Sequence, residues 1–144
     1  MPGIIVTGHG HFATGIVSAL ELILGPQDGL VAVDFPEGDT ATQITENLTS
    51  AVDSFGGGAV VVFSDLRGGQ PFNVASALCT DHPNLRVAFG TNLPLLIEAV
   101  TRFGGNAIHV PDETLLEEVI RAGAESVGKF TVGTGASSAQ DDWD

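Results

Sequence analysis

The stretch Ile4-Ile5-Val6-Thr7-Gly8-His9-Gly10-His11 decides how this chain is read. Ile4 to Thr7 is a short, almost wholly apolar and β-branched run, suited to a strand buried on both faces. From Phe12 to Leu24 the apolar residues Ala13, Ile16, Val17, Leu20, Ile23 and Leu24 recur every three or four positions, which predicts a helix ending before Gly25-Pro26. Strand, glycine-rich turn and helix together make the opening of a βα unit. His9 stands in that turn between two glycines, where its ring nitrogens are approachable. Imidazole is the side chain best suited to taking up and releasing a group near neutral pH.

Outward from this unit the pattern repeats. Leu30 to Phe35 reads as a second strand, and Thr40-x-x-Gln43 offers a capping box for a helix with Ile44, Leu48, Ala51, Val52 and Phe55 on one face. The turn Gly56-Gly57-Gly58 leads into a third strand, Ala59 to Ser64. Pro71 suits the start of a helix running to about Cys79. Leu85 to Phe89 is a fourth strand, Leu93 to Arg102 a helix behind Asn92, and Asp112 caps a further helix carrying Leu115, Leu116, Val119 and Ile120. Lys129 to Val132 reads as a last short strand. The fold class is therefore α/β, a mostly parallel central sheet with helices on both faces. One domain spans 1–132, and a Gly/Ser/Asp-rich acidic tail, 133–144, is expected to be flexible. In such sheets the ligand site lies beyond the carboxyl ends of the strands, where strand order reverses. That points to Gly8-His9-Gly10, Asp34-Phe35-Pro36 and Asp65 to Gly69.

Composition narrows the function. The 144 residues include 43% hydrophobic side chains, enough for a packed core, and the longest apolar runs are too short to span a bilayer. No basic, apolar leader is visible at the start, and the one cysteine, Cys79, sits in a helical apolar stripe, so a cytoplasmic protein is expected. The net charge of −13 disfavours nucleic acid and anionic lipid and favours basic protein partners. With only five Lys and Arg residues, any phosphoryl group handled here must be held largely by backbone N–H groups.

His9 and Asp65 each follow directly on an apolar strand. On neighbouring strands, the carboxylate fixes one imidazole nitrogen as a donor and leaves the other as the nucleophile, the arrangement of a phosphohistidine relay. The plainer alternative is an aspartate capping the Gly68-Gly69 turn beside an exposed histidine. Gly68, Gly69 and Gln70, ahead of the helix begun by Pro71, aim N–H groups at an anion, and the helix following Gly10 offers a second positive end. A nucleotide- or dinucleotide-binding domain is the rival reading, because Gly8-x-Gly10-x-x-Ala13 fits a loose fingerprint and Asp34 follows the second strand. A metal shared by His9, His11 and Asp65 lacks a completing ligand, so neither metal nor cofactor is expected. His11 reads as a rim residue, and His82 and His109 as surface histidines without partners. Phe35 and Phe72 read as core, and Glu98 as a solvated or helix-stabilising carboxylate.

These residues resemble a known family. Ile4-Ile5-Val6-Thr7-Gly8-His9-Gly10-x-Phe12-Ala13, Asp34-Phe35-Pro36-Glu37, Ser64-Asp65-Leu66-x-Gly68-Gly69-x-Pro71-Phe72-Asn73-Val74-Ala75-Ser76 and Gly90-Thr91-Asn92-Leu93-Pro94 are together similar to the IIA component of the mannose/sorbose family of bacterial phosphoenolpyruvate-dependent sugar phosphotransferase systems, closest to its N-acetylgalactosamine-type branch. The resemblance spans residues 4 to about 132. It implies a cytoplasmic homodimeric phosphocarrier that accepts a phosphoryl group from phospho-HPr and passes it to a IIB partner, serving a membrane IIC/IID complex indirectly. It implies phosphorylation of His9 on the nitrogen distal to the main chain, with Asp65 orienting the ring and Gly10, Gly68, Gly69 and Gln70 around the phosphoryl group. It also implies that the strand at Lys129 to Val132 is exchanged between subunits. Gln70 stands where relatives often carry Ser or Thr, so its amide or backbone N–H groups must replace a hydroxyl contact. Arg67 occupies a variable position and either meets the phosphate or pairs with an acidic neighbour.

Overall fold

In the computed structural model, which describes residues 2–104 and 110–133, four parallel strands form one sheet: β1 (Gly3–His9), β2 (Leu30–Phe35), β3 (Val60–Ser64) and β4 (Leu85–Ala88). Their order is β2-β1-β3-β4. The register pairs Ile5 with Val31 on one side and with Val62 on the other, so β1 is central. Because alternate side chains point to opposite faces, β1 supplies both cores. Ile4 and Val6, with Val61 and Phe63, face one cluster; Ile5, with Val60 and Val62, faces the other.

The first face is covered by α1 (Phe12–Leu24), α4 (Leu93–Phe103) and α5 (Glu113–Glu125), which contribute Leu20, Leu96, Phe103 and Val119 to the core. The second is covered by α2 (Ala41–Asp53) and α3 (Gln70–Leu78), through Ile44, Leu48, Val52 and Ala75. The helix starts are built as the sequence implies. Thr40 and Gln43 form the reciprocal capping box of α2, Asn92 accepts the Leu95 N–H at α4, and Asp112 accepts that of Leu115 at α5. Glu98 pairs with Arg102 one turn on, and Arg102 also reaches Glu118, tying α4 to α5. Half-buried Cys79 packs under α2 and α3, and burial pushes its thiol pKa up.

One element differs from expectation. Lys129 to Val132 is not a strand within the chain; it follows α5 as irregular backbone with Phe130 and Val132 almost fully exposed. A β-rich composition specifies a strand only where an edge is there to pair with, and the segment joins none of the four strands among the described residues. His82 also differs, since it has partners: its ring bonds the Leu78 carbonyl and Asp53, joining the ends of α3 and α2. Of the tail only Gly133 falls among the described residues, and His109 falls outside them.

Candidate functional site

The direction of strand order reverses between β1 and β3, whose carboxyl ends carry His9 and Asp65. The two side chains meet. His9 Nδ1 lies 2.7 Å from Asp65 Oδ2, and the His9 main-chain N–H donates to the same oxygen at 2.9 Å. The other carboxylate oxygen accepts the Leu66 N–H at 2.8 Å. Burial pushes the Asp65 carboxyl pKa up, but the bonds from His9 main chain, His9 ring and Leu66 together hold it below the usual carboxylate value. An ionised carboxylate only accepts, so in the neutral imidazole the proton sits on His9 Nδ1 and the lone pair on Nε2. The His9 side chain is 46% exposed against 12% for Asp65: the carboxylate is inside and the imidazole is at the surface.

The ring is held on two further sides. A Cβ built on Gly69 would fall 2.4 Å from His9 Cε1 and 3.0 Å from Nε2, so the imidazole edge occupies the space that any other residue would fill. Phe35 meets the ring edge-on, with centroids 6.2 Å apart. Gly68, at φ +87°, makes the left-handed turn that brings Gly69 back to the ring. Gly69 is also the N-cap of α3 and offers no side chain to cap it. The amides of Gly69, Gln70 and Phe72 at that end have no partner within the helix, and Gly69 lies against the imidazole edge. The Gln70 side chain, half-buried, makes no hydrogen bond among the described residues.

The neighbouring helix end is different. Gly10, expected to donate to a phosphoryl group, instead donates its N–H to the Phe35 carbonyl at 2.8 Å. The start of α1 already holds an anion: Asp34 accepts the Thr14 N–H at 2.9 Å and the Thr14 hydroxyl at 2.7 Å, with His11 Nδ1 at 3.2 Å. The second positive end read from the sequence is therefore neutralised by the protein's own carboxylate. Burial raises the Asp34 pKa, but the Thr14 and His11 bonds bring it below the usual range. His9 and His11 turn to different aspartates, and among the described residues no group of three or more His, Cys, Asp and Glu side chains is placed to hold a metal.

Three features escaped the sequence: the edge contact of Phe35, the capping of α1 by Asp34 across strands, and the setting of Arg67. Its guanidinium lies over the Phe89 ring, 5.7 Å from the centroid, and Phe89 in turn packs edge-on against Phe72. Behind the site, Thr91 donates both its N–H and its hydroxyl to the Ser64 carbonyl, fixing the residue that precedes Asp65.

Strand order and site define a class: a doubly wound α/β protein with an aspartate-oriented histidine at its switch point. Comparison with known proteins makes the class specific. The profile of the family described as "PTS system fructose IIA component" matches residues 3–110. The chain is 29% identical over 102 residues to the fructose-specific EIIA component of Bacillus subtilis, covering 70% of each chain. It is 33% identical over 96 residues to the sorbose-specific EIIA component of Klebsiella pneumoniae, covering 67% of this chain and 70% of that one. Against the mannose-specific EIIAB component of Escherichia coli K12 it is 31% identical over 98 residues, which is 67% of this chain but 30% of that longer protein. Among solved structures, a phosphotransferase system EIIA component from Streptococcus agalactiae superposes with a TM-score of 0.77 at 34% identity, covering 90% of this chain and 97% of that one. A mannose/sorbose-specific IIA subunit from Enterococcus faecalis shares the fold, with a TM-score of 0.83 at 24% identity over 94% and 98% of the two chains. The chain belongs to the family of phosphotransferase-system IIA components of the mannose/sorbose type. Among the described residues no helix is long and apolar enough to cross a membrane.

Proposed function

We propose that this protein is a cytoplasmic phosphocarrier in which His9 Nε2 accepts a phosphoryl group from phospho-HPr and passes it to a IIB partner for sugar uptake. The observation that carries this reading is the 2.7 Å bond between His9 Nδ1 and Asp65, which leaves Nε2 as the nucleophile beside the uncapped start of α3. In the first step the Nε2 lone pair attacks phosphorus, the donor's N–P bond breaks, and its electron pair returns to the donor imidazole. The His9 Nδ1 proton stays against Asp65, which stabilises the positive charge that develops on the ring. The phosphoryl oxygens on His9 then face the amides of Gly69, Gln70 and Phe72. Transfer to the IIB partner reverses the same step.

Family membership supports the donor and acceptor named here, and the N-acetylgalactosamine-type branch is proposed on motif resemblance alone. A homodimer that exchanges residues 129–132 is supported by the exposure of Val127, Phe130 and Val132, which a lone subunit would leave in water. The dinucleotide reading is disfavoured by Asp34. A pyrophosphate would sit at the start of α1, where that carboxylate already holds Thr14. Incubation with phosphoenolpyruvate, the general phosphotransferase enzyme and HPr tests the proposal. Wild-type protein is expected to take up one phosphoryl group that His9→Ala loses; undiminished label on His9→Ala would reject it.

A further inference from the structure

The proposed relay leaves one charged residue beside the site without a role. The sequence has 18 acidic residues against five basic ones, and Arg86 and Arg102 are already paired with Glu113 and with Glu98 and Glu118. Arg67 makes no ion pair among the described residues. It is the middle residue of the arch from Asp65 to Gly69, and both ends of that arch touch the His9 imidazole, at Nδ1 and at the Cε1–Nε2 edge. Its guanidinium rests instead on Phe89, whose ring is braced by Phe72 in the first turn of α3. A cation–π contact uses none of the guanidinium's N–H donors, so the fork stays free for two oxygens of one anion. Phe89 and Leu66 are each about half exposed, at 47% and 51%, so this cation stands on an apolar rim open to an arriving protein.

We infer that Arg67 is a specificity-determining residue that grips the phosphoryl oxygens of the incoming phosphorylated donor, so that the chain prefers the phosphorylated over the unphosphorylated form. The inference rests on the phosphocarrier reading above and adds to it the group that recognises the donor's charge state. Two anions could meet the fork: the phosphoryl group, or a carboxylate on the partner. The phosphoryl group is favoured. A partner that complements a chain of net charge −13 is basic near its contact surface, whereas the phosphoryl dianion must enter this field on every turnover.

The test compares wild type with Arg67→Gln and Phe89→Ala, using phospho-HPr and unphosphorylated HPr. Wild type is assayed first. If it takes no label from phospho-HPr, the phosphocarrier reading fails and this inference falls with it. If wild type is labelled, Arg67→Gln is expected to raise KM for phospho-HPr about tenfold, the size of a lost charge-assisted bond, with kcat held within about threefold. Its Kd for unphosphorylated HPr should stay within about twofold of wild type, and Phe89→Ala should give a smaller rise in KM of the same kind. An equal loss of affinity for both forms of HPr would assign the contact to a partner carboxylate or to apolar docking and overturn the inference. So would an unchanged KM in Arg67→Gln.

Discussion

His9 and His11 stand two residues apart, each faces an aspartate through Nδ1, and each adjoins the start of a helix; the two assemblies are nevertheless put to opposite uses. At α3 the aspartate is given wholly to the histidine and its own turn, and the helix end is left uncapped beside the ring. At α1 the aspartate is given mainly to the helix through Thr14, and the histidine is a loose attachment, 80% exposed and 3.2 Å away. One Asp–His pair thus sets a bonded, half-exposed imidazole beside an uncapped helix start, and the other makes a helix cap with an imidazole on its rim. The difference lies in what the carboxylate bonds besides the ring.

Removing each ring in turn separates the two pairs. His9→Ala should abolish phosphoryl uptake, while His11→Ala should keep initial rates within about threefold of wild type, since its ring touches nothing the transfer uses. A His11 variant as inactive as the His9 variant would make the two pairs equivalent. Next in size, Asp65→Asn should preserve the fold yet slow transfer on the order of 100-fold or more, because an amide accepts or donates indifferently and releases the ring tautomer. Gly69→Ala should slow it by about tenfold or more, since the added methyl must push the imidazole from its place.

Asp34→Ala probes the other half. It should lower stability by about 1 kcal/mol, as for a lost helix cap, and leave the transfer rate near wild type. The effect has a defined pH dependence. Because the folded carboxyl titrates below its unfolded value near 3.8, its stabilisation is present above that value and is lost as pH falls through the folded pKa. Urea melts at pH 7 and pH 3 should therefore show a wild-type advantage over Asp34→Ala that shrinks at the lower pH. His82, on the far edge, has the opposite sign. The Leu78 carbonyl and Asp53 hold its pKa above the usual 6.5, so its contribution is full below that value and fades as pH rises through the folded pKa. The stability gap between wild type and His82→Ala should accordingly narrow between pH 5.5 and pH 8.5, and a gap that widens would reject the ion pair. The smallest effect concerns Ser64, whose buried hydroxyl lacks a partner among the described residues. Ser64→Ala should be neutral or stabilising by up to about 1 kcal/mol, because no bond is lost with the hydroxyl.

Most of the α/β architecture and the His9–Asp65 pairing were legible in the sequence because both rest on local signals. Strand ends are set by apolar runs, and the rule that sites lie at carboxyl ends then brings the two residues to one edge. What the sequence hid depends on side chains from separate elements. Asp34 caps α1 from β2, a contact that no spacing along the chain encodes, and it removed the second anion site that the helix after Gly10 had suggested. Gly10 reads as an open donor until the bridge to Phe35 is known. Gly69 reads as a turn residue, although its φ of −78° is ordinary; the imidazole beside it is what excludes a side chain. Lys129 to Val132 has strand-like composition, but composition carries no information about whether a pairing edge is within the same chain.

The proposed relay requires one nitrogen of one histidine, His9 Nε2, to carry the phosphoryl group. Phosphorylated protein with ¹⁵N-labelled imidazoles, observed by long-range proton–nitrogen correlation, answers this directly. A single phosphorylated ring is expected, that of His9, bonded to phosphorus through Nε2 and still protonated at Nδ1 against Asp65. Phosphorus on His9 Nδ1, or on His11 at either nitrogen, would contradict it.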